Sequence, residues 1–246
     1  MKLAFVIPAH NEEALIGQCL AAVTQQVRQT GCDAEIVVVN NASSDRTKEI
    51  AEGFEGVRVV DEPQKGLVHA RDRGLAETTG ELVANLDADT ILPPGWIATV
   101  LSEFERDPKL VALSGPFIYY DLTRRQQALV RAFYWAAYPI YLMNRHVLKV
   151  GSMIQGGNFV FRRDAWLSVG GYDRSILFYG EDTDVARRLS KVGAVKWTFE
   201  LPMHTSGRRL AEEGIVTTGV RYVVNYFAVT FGGKPVSKTY NDIRPK

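Results

Sequence analysis

The stretch ELVANLDADT, residues 81–90, decides the fold and raises the question of function. An apolar run ends at Leu86 and is followed at once by Asp87-Ala88-Asp89. Such a short apolar run is typical of a strand buried on both faces of a parallel sheet. Two carboxylates held this close repel one another unless a cation neutralises them. Mg²⁺ and Mn²⁺ prefer oxygen ligands, so the pair suggests a divalent-metal site; a solvated turn in which Asp89 caps the next helix is the alternative.

Three similar apolar runs lie upstream, separated by stretches with helical periodicity. The predicted strands before residue 81 are KLAFVIPA (2–9), AEIVVVNN (34–41) and VRVVDE (57–62). Strands that alternate with helices predict right-handed βαβ units and a mostly parallel sheet. Ligands bind such sheets at the carboxyl ends of the strands. Polar clusters fall at three of these ends, at residues 8–12, 40–45 and 87–89.

The second half of the chain is less regular, and we expect it to be a mixed half. Strands are predicted at 110–115, 156–163 and 194–199, with a helix at 180–193 between the last two, and the final strand is expected to close the regular part. Because no Pro/Ser-rich linker interrupts the chain, we expect a single domain over residues 1–246. Two functional halves are expected within it, residues 1–110 and residues 111–246, the second with a C-terminal tail.

The aromatic segment ALVRAFYWAAYPIYLM, residues 128–143, is shorter than the roughly 20 clean apolar residues that a spanning helix needs. A buried helix is the favoured interpretation. Because arginines flank the segment, an interfacial helix at a membrane is the alternative. The tail SKTYNDIRPK, residues 237–246, is basic and also hints at an acceptor near a membrane.

Composition excludes several classes of function. A formal net charge of +1 gives no overall attraction to nucleic acid, and none is predicted as a partner. Cys19 and Cys32 form no CxxC pair, and the N-terminus has no signal-peptide pattern, so we expect a cytoplasmic protein with free thiols. Neither a GxGxxG after the first strand nor a phosphate-binding GxxxxGK[ST] is present.

Five motifs occur in an order that resembles the family 2 glycosyltransferases of the GT-A fold. They are VIPAHNEE (6–13), EIVVVNNASSDRT (35–47), GLVHARDRGLAETTGE (66–81), ANLDADT (84–90) and FYGEDTDVARRL (178–189). The likeness extends from residue 3 to about residue 205. It implies an α/β fold of GT-A type, with a mostly parallel nucleotide-binding sheet flanked by helices. It also implies inverting transfer of a sugar from a nucleotide-diphosphate sugar to an acceptor hydroxyl, with Mn²⁺ or Mg²⁺ as cofactor. The half at 1–110 would then bind the nucleotide sugar, and the half at 111–246 would bind the acceptor.

The resemblance assigns donor-side roles to particular residues. The implied nucleotide-binding residues are Pro8, Ala9, Asn11, Glu12, Asn40, Asp45, Arg71 and Asp87. Asn40 stands where the family usually has an aspartate that contacts the base, but an amide oxygen still accepts from the ring N–H of uracil. A UDP-sugar is therefore the favoured donor. Asn41 beside it offers the same groups, with a turn-forming role as an equal alternative.

The resemblance also implies a metal shell. Asp89 is the firmest expected ligand, assisted by Asp87 and completed by His204, for which a solvated loop histidine is the alternative. Arg208 and Arg209 are expected to be a solvated pair, with a clamp on the donor diphosphate as the alternative.

The motif GEDTD, residues 180–184, matches the position of the catalytic acid pair in the family. The resemblance implies that Asp182, next to Glu181, is the general base, and the position agrees in part because a helix N-terminus stabilises carboxylates. The alternative is that both residues only cap the helix. Asp184 is expected to pair along the helix with Arg187 or Arg188. Gly157 and Asn158 in GGNF are predicted to approach the acceptor.

Two other functions are compatible with a sheet of this kind. A nucleotidyltransferase usually has a glycine-rich, basic loop after the first strand, and PAHNEE is neither. A catalytically silent sugar-nucleotide-binding protein would not need the GEDTD motif. The acceptor, a glycan or a lipid-linked molecule, is expected at the cytoplasmic face of a membrane or in the cytoplasm.

Overall fold

The computed structural model of the chain describes residues 1–150, 153–176, 178–237, 239 and 242–243. Most of the basic tail that hinted at a membrane-bound acceptor, residues 238, 240–241 and 244–246, lies outside this part.

Ten strands form two sheets in the described residues. In chain order they are β1 Leu3–Ala9, β2 Ala34–Asn40, β3 Val57–Asp61, β4 Leu82–Leu86, β5 Thr90–Ile91, β6 Leu110–Ser114, β7 Phe117–Tyr119, β8 Asn158–Arg162, β9 Ala194–Trp197 and β10 Met203–Thr205. The central sheet has seven strands in the order β3-β2-β1-β4-β8-β6-β9. Only β8 runs antiparallel to its neighbours β4 and β6, while the other adjacent pairs are parallel. The predicted α/β fold, mostly parallel with a mixed second half, is confirmed.

Helices cover both faces of the central sheet. They are α1 Ile16–Thr30, α2 Thr47–Glu52, α3 Leu67–Ala76, α4 Trp96–Arg106, α5 Arg124–Leu142, α6 Arg163–Ser168, α7 Glu181–Leu189, α8 Arg208–Glu213 and α9 Ile215–Gly232, with a π-helical segment at Met143–Leu148 after α5. Alternate residues of β1 enter opposite cores: Phe5 and Ile7 pack in the core with α1 and α4, and Val6 packs in the core with α3, α6 and α7. Burial on both faces explains why the strand is an unbroken apolar run.

Helix α3 ends at Ala76, four residues before Gly80. The backbone N–H groups of Thr79 and Gly80 donate to the carboxylate of Glu35 at 2.7 and 3.1 Å. Because these groups bond a side chain from β2, they are not available to a further helical turn.

Two expectations for the second half are wrong. Regular structure does not end with β9, because β10, α8 and α9 follow, and β10 lies between β5 and β7 in a second, three-stranded sheet. The aromatic segment 128–143 is not a buried helix: within α5 only Tyr134 and Tyr141 are buried, and Trp135 is 61% exposed. The helix packs through its tyrosines on Trp197, and most of its remaining surface faces outward.

Candidate active site

The loops after β1 and β2 are bonded together at the carboxyl edge of the central sheet. Asn11, with φ +50°, accepts from the Ser44 N–H at 2.9 Å through Oδ1 and donates its own N–H to Ser43 at 3.1 Å. Asp45 accepts from the N–H groups of Thr47 and Glu13, both at 3.0 Å. These bonds hold the loop at residues 43–47 against the loop after β1. Pro8 and Ala9 form the last residues of β1, directly before this loop.

A pocket of about 200 Å³ lies at this edge. Its lining residues are Asn11, Glu12, Glu13, Ala14, Ser44, Asp45 and Arg208. Three of the residues expected to contact the nucleotide, Asn11, Glu12 and Asp45, therefore line one cavity.

Asn40, at the end of β2, presents a buried acceptor. Its Nδ2 donates to Asp61 Oδ1 at 2.8 Å, which fixes the orientation of the amide. Its Oδ1 is buried and has no hydrogen-bond partner among the described residues. An unpaired buried acceptor is costly, so a bound donor at this position would be stabilising.

Asn41 differs from its neighbour because its amide is fully used within the fold. Its Nδ2 donates to the carbonyls of Glu62 and Gln64, and its Oδ1 accepts from the Gly66 N–H at 2.8 Å. Asn41 therefore has the turn-forming role that was the alternative to nucleotide binding.

Arg71, from α3, joins the two acidic motifs. The residue is 1% exposed, and its guanidinium bonds Glu181 through Nη1 while Nη2 lies 3.4 Å from Asp87 Oδ1. A planar guanidinium can hold two carboxylates in fixed positions. Residues 71, 87 and 181, far apart in sequence, thus form one cluster, in which Arg71 and Glu181 are buried and Asp87 is partly exposed.

Arg208, at the start of α8, makes a second bridge of the same kind. Its Nη2 bonds Glu12 Oε1 and lies 3.1 Å from Asp89 Oδ2. Sequence reasoning gave only a minor role to this residue, since adjacent arginines are usually solvated. Arg209 has a separate place: it pairs with Glu213 at 2.8 Å and lies over the Phe178 ring.

Carboxylates outnumber these two arginines. Those that the arginines contact, or that act on them electrostatically, are Glu12, Asp87, Asp89, Glu181 and Asp182. The excess negative charge and the all-oxygen donor set fit a hard divalent cation. Asp87 and Asp89 are therefore suited to hold one.

His204 does not join the two aspartates. Within the part of the chain that the structure describes, no three His, Cys, Asp or Glu side chains lie close enough to hold a metal. The neighbouring Thr205 places its Oγ1 3.3 Å from Asp89 Oδ1. Since successive residues of a strand point to opposite faces, the His204 side chain lies on the other side of β10. This expectation is corrected.

The Gly156-Gly157 turn separates the two acidic motifs. A Cβ on Gly157 would lie 2.2 Å from Asp87 Oδ2, and a Cβ on Gly156 would lie 3.5 Å from Asp182 Oδ2. The Gly156 N–H also donates to Asp182 Oδ2 at 3.2 Å. Glycine at both positions allows the carboxylates of residues 87 and 182 to approach the same turn from its two sides.

Asp182 lies at the N-terminus of α7, where its Oδ1 accepts from the Thr183 N–H at 2.7 Å. Burial raises the pKa of Asp182 above its ordinary value, and the N–H groups of Thr183 and Gly156 oppose this rise. Burial also raises the pKa of Glu181, against the charge of Arg71. The helix N-terminus was expected to stabilise the ionised carboxylates, but burial has the larger effect and raises the pKa of both residues. Asp184 pairs with Arg187 and Arg188 at 2.8 and 2.7 Å, as predicted.

Asn158 lies below the site rather than in it. Its side chain is fully buried and bonds Trp96 Nε1 and the carbonyls of Gly115 and Leu201. The prediction that Asn158 touches an acceptor does not fit this environment, because all its polar atoms already have partners. The residue instead fixes β8 below the glycine turn.

Comparison with known proteins shows the family of the chain. The chain matches the sequence model described as glycosyl transferase family 2 over residues 4–168. The chain belongs to glycosyltransferase family 2. The matched range includes the loop after β1, the Asp87-Asp89 pair and the Gly156-Gly157 turn.

Individual relatives of this family 2 member extend the comparison. It is 28% identical, over 178 residues, to a glucosyl-dolichyl phosphate glucuronosyltransferase of Haloferax volcanii, an alignment that covers 70% of this chain and 56% of the relative. The chain spans about half the length of the curated relatives it matches.

Solved structures show the same GT-A fold. A mannosyltransferase from Pyrobaculum calidifontis in complex with GDP-Man and Mn²⁺ has a TM-score of 0.68 and 21% identity, covering 92% of this chain and 63% of that one. Glucosyl-3-phosphoglycerate synthase from Mycobacterium tuberculosis, in complex with Mn²⁺, UDP-glucose and phosphoglyceric acid, has a TM-score of 0.63 and 22% identity, covering 96% and 81%.

Proposed function

We propose that the chain is a metal-dependent, inverting glycosyltransferase that moves a sugar from a nucleotide-diphosphate sugar to an acceptor hydroxyl. The observation that carries the proposal is the Gly156-Gly157 turn, which has the carboxylate of Asp87 on one side and that of Asp182 on the other. A donor bound at Asp87 and an acceptor bound at Asp182 would meet across this turn. Holding the donor and the acceptor next to each other in a fixed orientation would raise the rate of transfer.

Asp89 and Asp87 are the residues proposed to hold Mn²⁺ or Mg²⁺. A divalent ion there would neutralise the charge that develops on the departing nucleoside diphosphate. The excess of carboxylates around Arg71 and Arg208 supports this assignment, and similar folds have been solved with Mn²⁺ and nucleotide sugars.

Asp182 is proposed as the general base. The proton of the acceptor hydroxyl passes to the Asp182 carboxylate while the acceptor oxygen bonds to the anomeric carbon. The bond from that carbon to the diphosphate oxygen breaks on the opposite face, so the configuration inverts. Glu181 does not touch the acceptor in this scheme; through Arg71 it positions Asp87.

Asn40 supports a uridine donor. Its buried Oδ1 has no partner in the described residues and matches the ring N–H of uracil, which donates a hydrogen bond. The neighbours solved with bound donors include both UDP-glucose and GDP-Man complexes, so the base has to be tested directly.

We also propose a division of labour within one domain over residues 1–246. Residues 1–110 would bind the donor, and residues 111–246, including Gly157 and Asp182, would bind the acceptor. The proposed place of action is the cytoplasmic side of a membrane, with a glycan or lipid-linked acceptor. A relative named for a glucosyl-dolichyl phosphate substrate supports the lipid-linked choice.

Calorimetric titration with UDP, GDP and dTDP, each with and without Mn²⁺, tests the donor site. We expect UDP to bind most tightly and Mn²⁺ to strengthen binding. Asp89→Ala should abolish the metal effect, whereas Asp33→Ala, an exposed carboxylate before the amino end of β2, should retain it. No metal-enhanced nucleotide binding in the unmodified chain would refute the proposal. Binding without any hydrolysis of UDP-sugars would favour the silent binding protein.

A further inference from the structure

Helix α9 has its polar side inside and its apolar side outside. Its buried residues are Thr218, Asn225, Val229 and Thr230. Its exposed apolar residues are Val216, Val220, Tyr222, Val223, Val224, Phe227 and Phe231, with Val216 70% and Phe231 60% exposed. A helix on the surface of a protein in water shows the opposite pattern. The exposed side of α9 therefore fits an apolar environment better than it fits water.

Helix α5 and the π-helical segment after it have the same character. Their exposed apolar residues are Leu129, Phe133, Trp135, Leu142, Met143, Val147 and Leu148. Asn144 donates to the Tyr226 hydroxyl at 2.7 Å, which joins this segment to α9. We call the exposed apolar side chains of α5, the π-helical segment and α9 the apolar face. Exposed apolar side chains in such number on joined helices indicate a site of interaction.

The chain segments that carry the apolar face contain basic residues but no acidic ones. No Asp or Glu occurs in residues 122–163 or in 214–241, although the chain has 28 of them in 246 residues. The cations of the first stretch include Arg124, Arg125, Arg131, Arg145 and Lys149. Among the described residues, Arg124, Arg125, Arg131 and Lys149 form no ion pair. Unpaired cations beside exposed apolar side chains are complementary to a surface that is both anionic and apolar.

We propose that the apolar face docks on an anionic lipid bilayer. No helix in the described ranges is long and apolar enough to cross a membrane, so the contact would lie in the plane of the interface. Valine, phenylalanine and tryptophan side chains would enter the boundary between headgroups and acyl chains, and arginine and lysine would meet lipid phosphates.

Helix α9 carries part of the docked face on its outer side, and its inner side packs against the start of α7, which carries the proposed base. Val229 of α9 packs against Gly180, where a Cβ would lie 2.7 Å from Val229 Cγ2, and Gly180 immediately precedes the acidic pair of α7. Arg221 of α9 donates to the Tyr179 hydroxyl at 2.9 Å. A consequence, which rests on the proposed function, is that the acceptor hydroxyl would be presented at the membrane surface.

Co-sedimentation with lipid vesicles tests the docking. The whole chain is mixed, without nucleotide, with vesicles of phosphatidylcholine alone or with about a third phosphatidylglycerol. We expect binding to the anionic vesicles that weakens as salt is added. Arg125→Gln with Arg131→Gln should weaken binding about five-fold per cation. Val220→Glu with Phe231→Glu should weaken it more than about ten-fold per side chain.

A matched control is Leu167→Glu with Val192→Glu, which adds the same charge at residues that are 57% and 48% exposed elsewhere. This variant should bind as the unmodified chain does. Circular dichroism and metal-dependent UDP binding, measured without vesicles, check that each variant is folded. Because those readouts do not involve lipid, failure of docking and failure of the proposed transferase are distinguishable.

Trp135 gives an independent signal. It is 61% exposed, whereas Trp96, Trp166 and Trp197 are each at most 2% exposed. Vesicles with brominated acyl chains should quench its fluorescence, and Trp135→Phe should remove the quenching while binding persists. Equal binding of all variants, or no binding to anionic vesicles, would overturn the proposal. So would a dimer or a complex with another protein that Val220→Glu with Phe231→Glu dissociates, because another occupant would then cover the face.

Discussion

Replacing Gly157 by alanine should weaken donor binding for a reason other than reduced fold stability. Gly157 has φ +79°, and an added Cβ would lie 2.2 Å from Asp87 Oδ2 and 2.3 Å from its Cγ. Contacts this short are not tolerated, so the Asp87 carboxylate would have to leave its position beside the turn. If Asp87 takes part in donor and metal binding, that displacement should appear as lost affinity.

Gly56 provides a control with nearly the same backbone. Its φ is +78°, and an added Cβ would meet nothing within 4 Å. Forcing an alanine into the left-handed region costs about 1–2 kcal/mol at either position. The free energy of unfolding of both variants should therefore fall by this amount, and only Gly157→Ala should displace the Asp87 carboxylate. Loss of one charged contact corresponds to about 1.5–3 kcal/mol, or about 10- to 100-fold in affinity.

The assay pairs urea unfolding with calorimetric titration of UDP in Mn²⁺ for Gly157→Ala, Gly56→Ala and Asp87→Ala. We expect Gly157→Ala to bind as weakly as Asp87→Ala, and Gly56→Ala to bind as the unmodified chain does. The reasoning would be refuted if the two glycine variants bound UDP equally well despite similar losses of stability.

Three further predictions concern single side chains. Asp182→Asn should retain UDP binding, and its turnover with a cognate acceptor should fall about 10²- to 10⁴-fold. Asp184→Asn should chiefly lower the unfolding temperature, because Asp184 forms ion pairs with two arginines. A base must be deprotonated, so the raised pKa of Asp182 should place the acidic limb of the pH profile of kcat/KM above the ordinary aspartate range. Thr183→Val removes a hydroxyl that donates to Asp182 at 3.3 Å and should move this limb to higher pH. A limb that does not move would contradict the assignment of Asp182 as the base. Partial burial raises the pKa of Glu35, but hydrogen bonds from Lys2, Thr79 and Gly80 lower it to about 2 overall. The ionised Glu35 therefore stabilises the folded state above about pH 4.3, and this contribution is lost as pH falls toward 2. Glu35→Gln should thus cost about 1–3 kcal/mol in urea unfolding at pH 7 and nothing measurable near pH 2.

The first half of the fold could be predicted from sequence because its signals are local. Strands such as β1 and β4 are buried on both faces and appear as unbroken apolar runs, and the polar residues that follow them fall at one edge by the rules of parallel sheets. Asp87, Asp89 and Asn40 could therefore be proposed as site residues without any knowledge of contacts.

The remaining features depend on contacts that no local pattern encodes. Arg208 reaches Glu12 and Asp89 from a helix that begins more than a hundred residues after Asp89, and two adjacent arginines give no sign of such a bridge. The strands β5, β7 and β10 have two or three residues each, too few for an alternating pattern. Helix α9 was missed because its exposed side is apolar, contrary to the pattern that identifies surface helices.

The antiparallel strand β8 explains how the two acidic motifs come to share one turn. Leu86, at the carboxyl end of β4, pairs with Asn158, at the amino end of β8. Because β8 runs opposite to β4, the residues that precede it, Gly156 and Gly157, lie at the edge where Asp87 follows β4. A parallel strand would place its far end, near Arg162, at that edge and would carry the glycine turn to the opposite side of the sheet. The reversal of one strand thus brings a loop of the second half to the edge that carries Asp87, where the Gly156 N–H bonds Asp182.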